Sequence, residues 1–137
     1  MADRFLLEIV TPSRRLLSEE VEEVTAPGEV GEFGVLAGHM HFFALLKAGE
    51  LTYKTGREAR RVAVGRGYAE VGPERTTILV DSAESAEEID LTKAREDQSE
   101  AEGRMKSLGP ADPAYQSALE AFDLAEARIM VKEGKRG

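Results

Sequence analysis

With 137 residues and a formal net charge of -8 at pH 7, the chain is long enough for one domain, or for a small domain with an appendage, and too acidic overall to bind nucleic acid by bulk electrostatics. It contains no cysteine, which excludes disulfides, thiolate metal ligands and cysteine nucleophiles. The N-terminus MADRFLLEIV is charged at once and its apolar run is short, so we expect no signal segment or membrane span there, and only indirect membrane association.

The chain from Phe5 to Asp81 has the pattern of antiparallel β-sheet, because short apolar runs alternate with turn residues. In the run ELTYK, Leu51 and Tyr53 would face one way and the polar residues the other, and the following turn TGRE predicts a hairpin. Glycines inside the run VAVGRGYAEV are typical of a bulge or a close backbone approach. Such a sheet would close as a sandwich or a small barrel.

The stretch GEFGVLAGHMHFF, residues 31–43, contains the two histidines of the sequence, His39 and His41. A pair on one strand face can supply two zinc ligands, but the sequence has no third histidine and the spacing selects no carboxylate. Roles in a turn or an interface are therefore favoured over metal binding. The glycines do not form a phosphate-binding loop, because Gly38 is followed by His39 where Lys and then Ser or Thr would be needed.

No other motif in the sequence indicates catalysis. In GRGYAEVG the next glycine after Gly65 and Gly67 comes too late for a dinucleotide-binding fingerprint, and no helix follows. No nucleophile elbow occurs, and the many acidic residues are better explained as a solvated surface than as an acid and base pair. The sequence therefore predicts a protein that is not an enzyme.

From about Ile89 onward the pattern becomes helical. Ser85 and Glu88 have the spacing of a capping box, and we expect it just ahead of a first helix. The apolar residues of this helix form a thin stripe: Leu91, Ala94, Ala101, Met105 and Leu108.

The stretch GPADP then breaks the helical pattern. Asp112 can cap a second helix with Pro113 at its first position. The stripe predicted on this second helix consists of Tyr115, Ala118, Leu119, Phe122, Ala125 and Ile129. Because both stripes are narrow and rich in small residues, we expect an antiparallel helical hairpin that packs weakly on the sheet and can detach without unfolding it.

The order of these parts resembles, from end to end, the epsilon subunit of bacterial F-type ATP synthase. The most specific match is the block GEFGVLAGH, in which a turn of Gly, Glu, an apolar residue and Gly is followed by Gly and His. The residues that fit are Gly31, Glu32, Gly34, Gly38 and His39. The resemblance makes His39 a loop residue near a partner, whereas His41 lies outside the pattern.

The resemblance implies a mixed fold, with an N-terminal antiparallel β-sandwich, or flattened barrel, in residues 1–86 and a C-terminal two-helix hairpin in residues 87–137. It implies a rotor subunit with no active site, metal or cofactor of its own, in the central stalk of a proton- or sodium-translocating complex. The implied partners are the gamma subunit, the c-ring and the alpha/beta catalytic head, at the cytoplasmic face of the bacterial inner membrane. Glu32, Gly38 and His39 would lie at the interface with the c-ring and the gamma subunit.

The resemblance further implies that the hairpin is a regulatory arm that inhibits ATP hydrolysis by meeting an acidic motif on the catalytic head. The basic residues near the C-terminus, which this contact would use, are Arg128, Lys132, Lys135 and Arg136. A basic end of this kind also serves simply to keep a chain in solution.

Some members of this family bind a nucleotide through Ile or Leu, Asp, two variable residues, Arg and Ala. Here Ile89 and Asp90 match, but Lys93 replaces the arginine and lacks its planar fork. Arg128 is a further candidate contact. We expect weak ATP binding or none, and the alternative is that Asp90 caps the first helix while Lys93 is solvated.

Two other classes of protein stay open when the resemblance is set aside. One is a small sugar- or nucleotide-binding β-sandwich module with a helical tail, which would need exposed aromatic residues on one β face. The other is a metal-dependent enzyme using His39 and His41, which would have to retain metal after dialysis.

Overall fold

The structure is a computed structural model that describes residues 3–38 and 40–134. These residues form ten strands and then two helices. The elements are β1 (Phe5–Val10), β2 (Arg15–Val21), β3 (Glu23–Gly28), β4 (Gly31–Leu36), β5 (Phe42–Leu46), β6 (Gly49–Thr55), β7 (Glu58–Val64), β8 (Gly67–Val71), β9 (Arg75–Val80), β10 (Ala83–Ser85), α1 (Leu91–Ser107) and α2 (Pro113–Glu133).

The strands form one sheet that curls into a nearly closed sandwich. Their order is β10-β7-β6-β3-β5-β8-β9-β1-β2, and β4 pairs with β3. β1 and β9 pair in parallel, while the other pairs are antiparallel. The Glu22 N–H, directly ahead of β3, donates to the Lys54 carbonyl of β6 at 2.8 Å and extends the pairing of these two strands. The predicted fold class, a β-sandwich followed by a helical hairpin, is confirmed.

The core of the sandwich is built from side chains that alternate along the strands. On β6, Leu51 and Tyr53 are buried whereas Lys54 is exposed, as the pattern of ELTYK predicts. The predicted hairpin is also confirmed, because Thr55 pairs with Glu58 across the turn. The buried residues of this main core all come from residues 5–83, so the sandwich has a hydrophobic core that does not depend on the helices.

Gly67, the first residue of β8, marks a close approach between two strands. A Cβ atom at this position would lie 1.9 Å from the carbonyl oxygen of Leu79 and 2.7 Å from the Cα of Val80 on β9. No side chain fits in that space, and glycine is the residue that allows such an approach. The prediction of close backbone approach in this run is confirmed.

The two helices run antiparallel, since Asp97 near the start of α1 accepts a hydrogen bond from Arg128 near the end of α2. The N-cap of α2 is the one predicted, with Asp112 accepting from the Ala114 N–H at 2.9 Å and Pro113 in the first turn. At the other end Gly134 adopts a left-handed conformation, which is a common way for a helix to stop.

The expected capping box at Ser85 and Glu88 is wrong as a helix start. α1 begins at Leu91, and its N-cap is Asp90, which accepts from the Lys93 N–H at 3.1 Å. Ser85 does donate its backbone N–H to Glu88 Oε1 at 2.9 Å. That bond closes a turn ahead of the helix, because the Glu88 N–H also donates back to the Ser85 carbonyl.

The apolar stripes predicted on the helices agree only in part with the faces that are buried. The buried helical residues are Ala94 and Ala101 on α1, and Ala118, Ala125, Ala127 and Val131 on α2. Ala127 and Val131 were not predicted. They pack against Ala63 of the sheet and Ile89, so α2 buries one face on α1 and another on the sandwich, and a single stripe cannot describe both.

Candidate interaction sites

The outer face of β5 and β8 carries an apolar surface made of Phe43, Leu45 and Tyr68, which we call the aromatic patch. The three side chains are 61%, 56% and 36% exposed. Leu45 lies directly opposite Tyr68 in the sheet, and the rings of Phe43 and Tyr68 stack with their centroids 4.7 Å apart. Adjoining exposed apolar side chains on a folded protein are typical of interaction sites.

Alternation along β5 explains why these side chains point outward. Phe42 turns inward and packs edge-on against Phe33, with ring centroids 5.5 Å apart. Leu46 is fully buried. The patch therefore contributes little to the core, and its exposed area is free for a partner.

Two of the three predicted ring-contact residues, Glu32 and Gly38, lie on β4 or just after it. Glu32 is exposed on β4 and lines an open groove of about 290 Å³ that also includes Lys47 and, on α2, Asp123. Burial raises the pKa of Asp123. Gly38 follows β4 with a positive φ of 79°, which favours glycine and suits a tight bend. His39 lies outside the described residues.

The second histidine, His41, lies beside the turn between β8 and β9. It lines an open groove of about 510 Å³ with Glu70, Glu74 and Arg75. Within residues 3–38 and 40–134, no three His, Asp or Glu side chains are placed to hold a metal ion together. The hypothesis of a metal-dependent enzyme therefore gains no support from this part of the chain.

A clamp formed by Arg14 holds the segment that leads into α1. Arg14 donates to both carboxylate oxygens of Glu88, at 2.6 and 3.0 Å, and to the Ala83 carbonyl at 2.8 Å. Ser85 adds donors from its N–H and its hydroxyl. The Arg14 hydrogen bond, followed by that of the Ser85 N–H, lowers the pKa of Glu88 from 4.5 to about 2.

This clamp predicts a loss of stability in acid. Because the folded pKa of Glu88 is depressed, its contribution is fully present above pH 4.5 and is lost as the pH falls towards 2. After solvent screening at this partly exposed pair we expect about 1 kcal/mol. The free energy of unfolding of Glu88→Gln should therefore fall below that of the unaltered chain at neutral pH, and the two should converge near pH 2.

Chemical denaturation across that pH range measures the difference, with Glu87→Gln as the neighbouring control of equal charge change. A stability difference between Glu88→Gln and the unaltered chain that stays constant with pH would contradict the prediction.

Four charged residues meet where β10, α1 and α2 come together, and we call them the Arg128 network. Arg128 Nε lies 2.7 Å from Glu84 Oε1, as an ion pair without hydrogen-bond geometry, and Arg128 Nη1 donates to Asp97 Oδ2 at 3.2 Å. Lys93 Nζ lies 3.0 Å from Asp97 Oδ1. The Arg128 side chain is only 14% exposed.

The structure places the four candidate nucleotide residues in three different roles. Ile89 is buried against the sandwich, Asp90 caps α1 as the alternative interpretation predicted, and Lys93 and Arg128 are both paired with Asp97. The groove beside Arg128 has a volume of about 170 Å³ and is also lined by Asp97 and Glu100. The small volume disfavours a nucleotide, whereas the charges of the lining balance, because Arg104 lines the groove as well.

The basic residues of the predicted arm contact are partly engaged within the chain. Lys132 donates to the Ala86 carbonyl at 3.0 Å, and Arg128 belongs to the Arg128 network. Lys135 and Arg136 lie outside the described residues.

Several residues of these sites were not identified from the sequence. The missed residues are Arg14, Phe43, Leu45, Tyr68, Glu84 and Asp97. For Tyr68 a signal existed, because GYAEV alternates and its exposed side chains could have been assigned to one face. The run FFALL offers no such signal, since both faces of that strand are apolar. Arg14 and Glu88 are 74 positions apart in the sequence, so local spacing cannot reveal that they pair.

No helix in the described part of the chain is both long enough and apolar enough to cross a membrane.

Comparison with known proteins gives a consistent result. Residues 4–86 match the family described as ATP synthase, Delta/Epsilon chain, beta-sandwich domain. The chain is 45% identical to the ATP synthase epsilon chain of Geobacter metallireducens, with 96% of this chain and 95% of the relative covered. It is 43% identical to ATP synthase epsilon chain 2 of Syntrophotalea carbinolica over the full length of both.

Solved structures show the same fold. A chain in the cryo-EM structure of the Euglena gracilis mitochondrial ATP synthase, OSCP/F1/c-ring in rotational state 1, matches with a TM-score of 0.76 and 28% identity over 90% of this chain and 78% of that chain. A chain of the central stalk/c-ring structure from the Tetrahymena thermophila mitochondrial ATP synthase has a TM-score of 0.57 at 12% identity, with 96% of each chain covered, and shows the fold alone.

Proposed function

We propose, because this chain belongs to the ATP synthase epsilon chain family, that it links the gamma subunit and the c-ring to the alpha/beta catalytic head. As a member of that family it is a non-catalytic subunit of a rotary complex. The proposal covers the finer roles: coupling of ring rotation to the head, inhibition of ATP hydrolysis by the hairpin, and peripheral attachment at the cytoplasmic face of the bacterial inner membrane. The ion that drives the ring would be a proton or sodium.

The aromatic patch is the observation that carries this proposal. Phe43, Leu45 and Tyr68 offer a rigid apolar surface on a sheet, and rigid aromatic side chains are effective anchors at interfaces because they bury a large area at a low entropic cost. We assign this surface to the gamma subunit. The patch is also the feature that a β-sandwich ligand-binding module would need, but family membership across 96% of the chain favours a subunit interface.

Glu32 is assigned to the c-ring. It is an exposed carboxylate on β4, which pairs with β3 and is not one of the two strands that carry the aromatic patch. A polar contact here would let the sandwich rest on polar loops of the ring while the patch holds the stalk. Gly38 would shape the bend after β4, and His39 would lie near the same partners.

Co-purification tests the proposed assembly. The full chain, carrying an affinity tag, is mixed with the separately purified gamma subunit, c-ring and catalytic head. We expect it to retain the gamma subunit directly, and the ring and the head through the assembled stalk. If the tagged chain retains none of the three, the proposal is contradicted.

We further propose that the chain binds ATP weakly or not at all. Lys93 and Arg128 are already paired with carboxylates, and Lys93 cannot make the bidentate contact of an arginine. Titration calorimetry with the full chain is expected to give no saturable signal at micromolar ATP. Lys93→Arg is the matched variant, because it restores the family motif without adding charge. Saturable binding by the unaltered chain would contradict the proposal.

A further inference from the structure

Arg128 on α2 is held by carboxylates from two other elements. Glu84 belongs to β10 of the sandwich, and Asp97 belongs to α1. Both acidic side chains are about one-third exposed, while Arg128 is 14% exposed. The guanidinium is thus withdrawn from solvent and turned towards groups of its own chain.

The apolar contact between the hairpin and the sandwich is small. Among the described residues its buried members are Ala63, Ile89, Ala127 and Val131, and two of these four are alanines, which bury little area. Polar contacts therefore contribute a large share of the attachment of the hairpin to the sandwich. Besides the contact of Arg128 with Glu84, these include the contact of Lys132 with the Ala86 carbonyl and that of Arg66 with Glu120.

We infer that Glu84 and Asp97 occupy Arg128 in place of an acidic partner surface, so that carboxylates inside and outside the chain compete for one guanidinium. Release of the hairpin breaks the contact of Arg128 with Glu84 of the sandwich, whereas Asp97 moves together with Arg128. Carboxylates of a partner that bind the released guanidinium replace the lost contact and so favour the open state. This inference rests on the proposed function, because it names the internal contact that regulates release of the inhibitory arm.

The first test measures the position of the hairpin in the free full chain. Since the sequence has no cysteine, Arg57→Cys and Lys106→Cys allow fluorescent labels on the sandwich and on α1. Glu84→Gln with Asp97→Asn should raise the fraction of open molecules roughly tenfold, because Arg128 loses both partners. Glu58→Gln with Glu102→Gln removes the same charge from the same two parts of the chain without touching Arg128. An equal open fraction in both double variants would overturn the inference.

The second test separates release of the hairpin from exposure of Arg128. Arg128→Gln should also open the hairpin, because it removes the same ion pairs. The two kinds of variant should differ in binding to an immobilised poly-glutamate peptide at fixed ionic strength. We expect the Glu84→Gln/Asp97→Asn variant to bind roughly tenfold more tightly than Arg128→Gln, with the unaltered chain in between. Equal binding by the two opened variants would show that Arg128 is not the shared contact.

These measurements use the free chain, so their outcome does not depend on the catalytic head. In the assembled enzyme the Glu84→Gln/Asp97→Asn variant should inhibit ATP hydrolysis more strongly than the unaltered chain. If it opens and binds the acidic peptide as expected but inhibits no more strongly, the proposed inhibitory function fails while the competition for Arg128 stands.

Discussion

Truncating the chain after Glu88 is expected to raise ATP hydrolysis by the reconstituted enzyme roughly fivefold or more, while coupling of hydrolysis to ion transport persists. The truncation removes α1 and α2, which we propose to be the inhibitory arm. It leaves the aromatic patch and Glu32 in place. Hydrolysis rate and ion pumping, measured side by side for the full and the truncated chain, test both halves of the expectation.

The truncated chain should fold, because the main core comes from residues 5–83. Ending at Glu88 also preserves its two hydrogen bonds with Arg14 and those with Ser85. Removing the hairpin uncovers Ala63, a small side chain, so little apolar surface is newly exposed. A cooperative thermal transition of the isolated fragment is the control that separates loss of inhibition from loss of folding.

Ionic strength gives a second measurement on the same two proteins. Exposed ion pairs contribute only about 0 to 1 kcal/mol each. Basic residues such as Lys132 therefore cannot by themselves hold the arm on the head. Apolar side chains including Leu119, Phe122 and Ile129, which are only partly buried in this structure, would supply most of the rest. Salt should therefore weaken inhibition only in part. Equal hydrolysis by both proteins at every salt concentration would show that the hairpin is not inhibitory.

Local rules were sufficient to predict most of the strands and the start of α2. The alternation in ELTYK assigns Leu51 and Tyr53 to the core, and turn residues set the hairpin that follows, because both depend only on neighbours in the chain. Asp112 and Pro113 are equally local signals. The block from Gly31 to His39 also indicates the family, which hydrophobic periodicity alone cannot indicate.

The candidate sites depended on pairings that local rules do not contain. Arg128 meets Glu84 and Asp97 only after the hairpin has packed on the sandwich. The same packing gives α2 a second buried face, at Ala127 and Val131, and a one-sided helical pattern does not predict it. Ser85 and Glu88 show the opposite failure. Their local contact forms, but it belongs to the clamp with Arg14, and the helix begins later, at Leu91, with Asp90 as its N-cap.

Replacing Phe43 and Leu45 together with serine is expected to lower the affinity for the gamma subunit roughly 100-fold, because central aromatic and apolar anchors carry much of the binding energy of an interface. About 3 kcal/mol of binding free energy corresponds to that factor. Both side chains are more than half exposed, so the free energy of unfolding should change by about 0.5 kcal/mol or less. Binding of the full chain to the isolated gamma subunit, measured by calorimetry, gives the affinity directly.

Leu36→Ser is the matched control for this double variant. Leu36 is 59% exposed, close to the value for Leu45, but lies on β4 rather than on the β5 and β8 face. If the aromatic patch is the stalk contact, this control should bind the gamma subunit nearly as well as the unaltered chain. Comparable losses in both variants would mean that binding follows general surface hydrophobicity. Undiminished binding by the Phe43 and Leu45 variant would show that the stalk contact lies outside the patch. The proposed assembly would then lose the observation on which it depends.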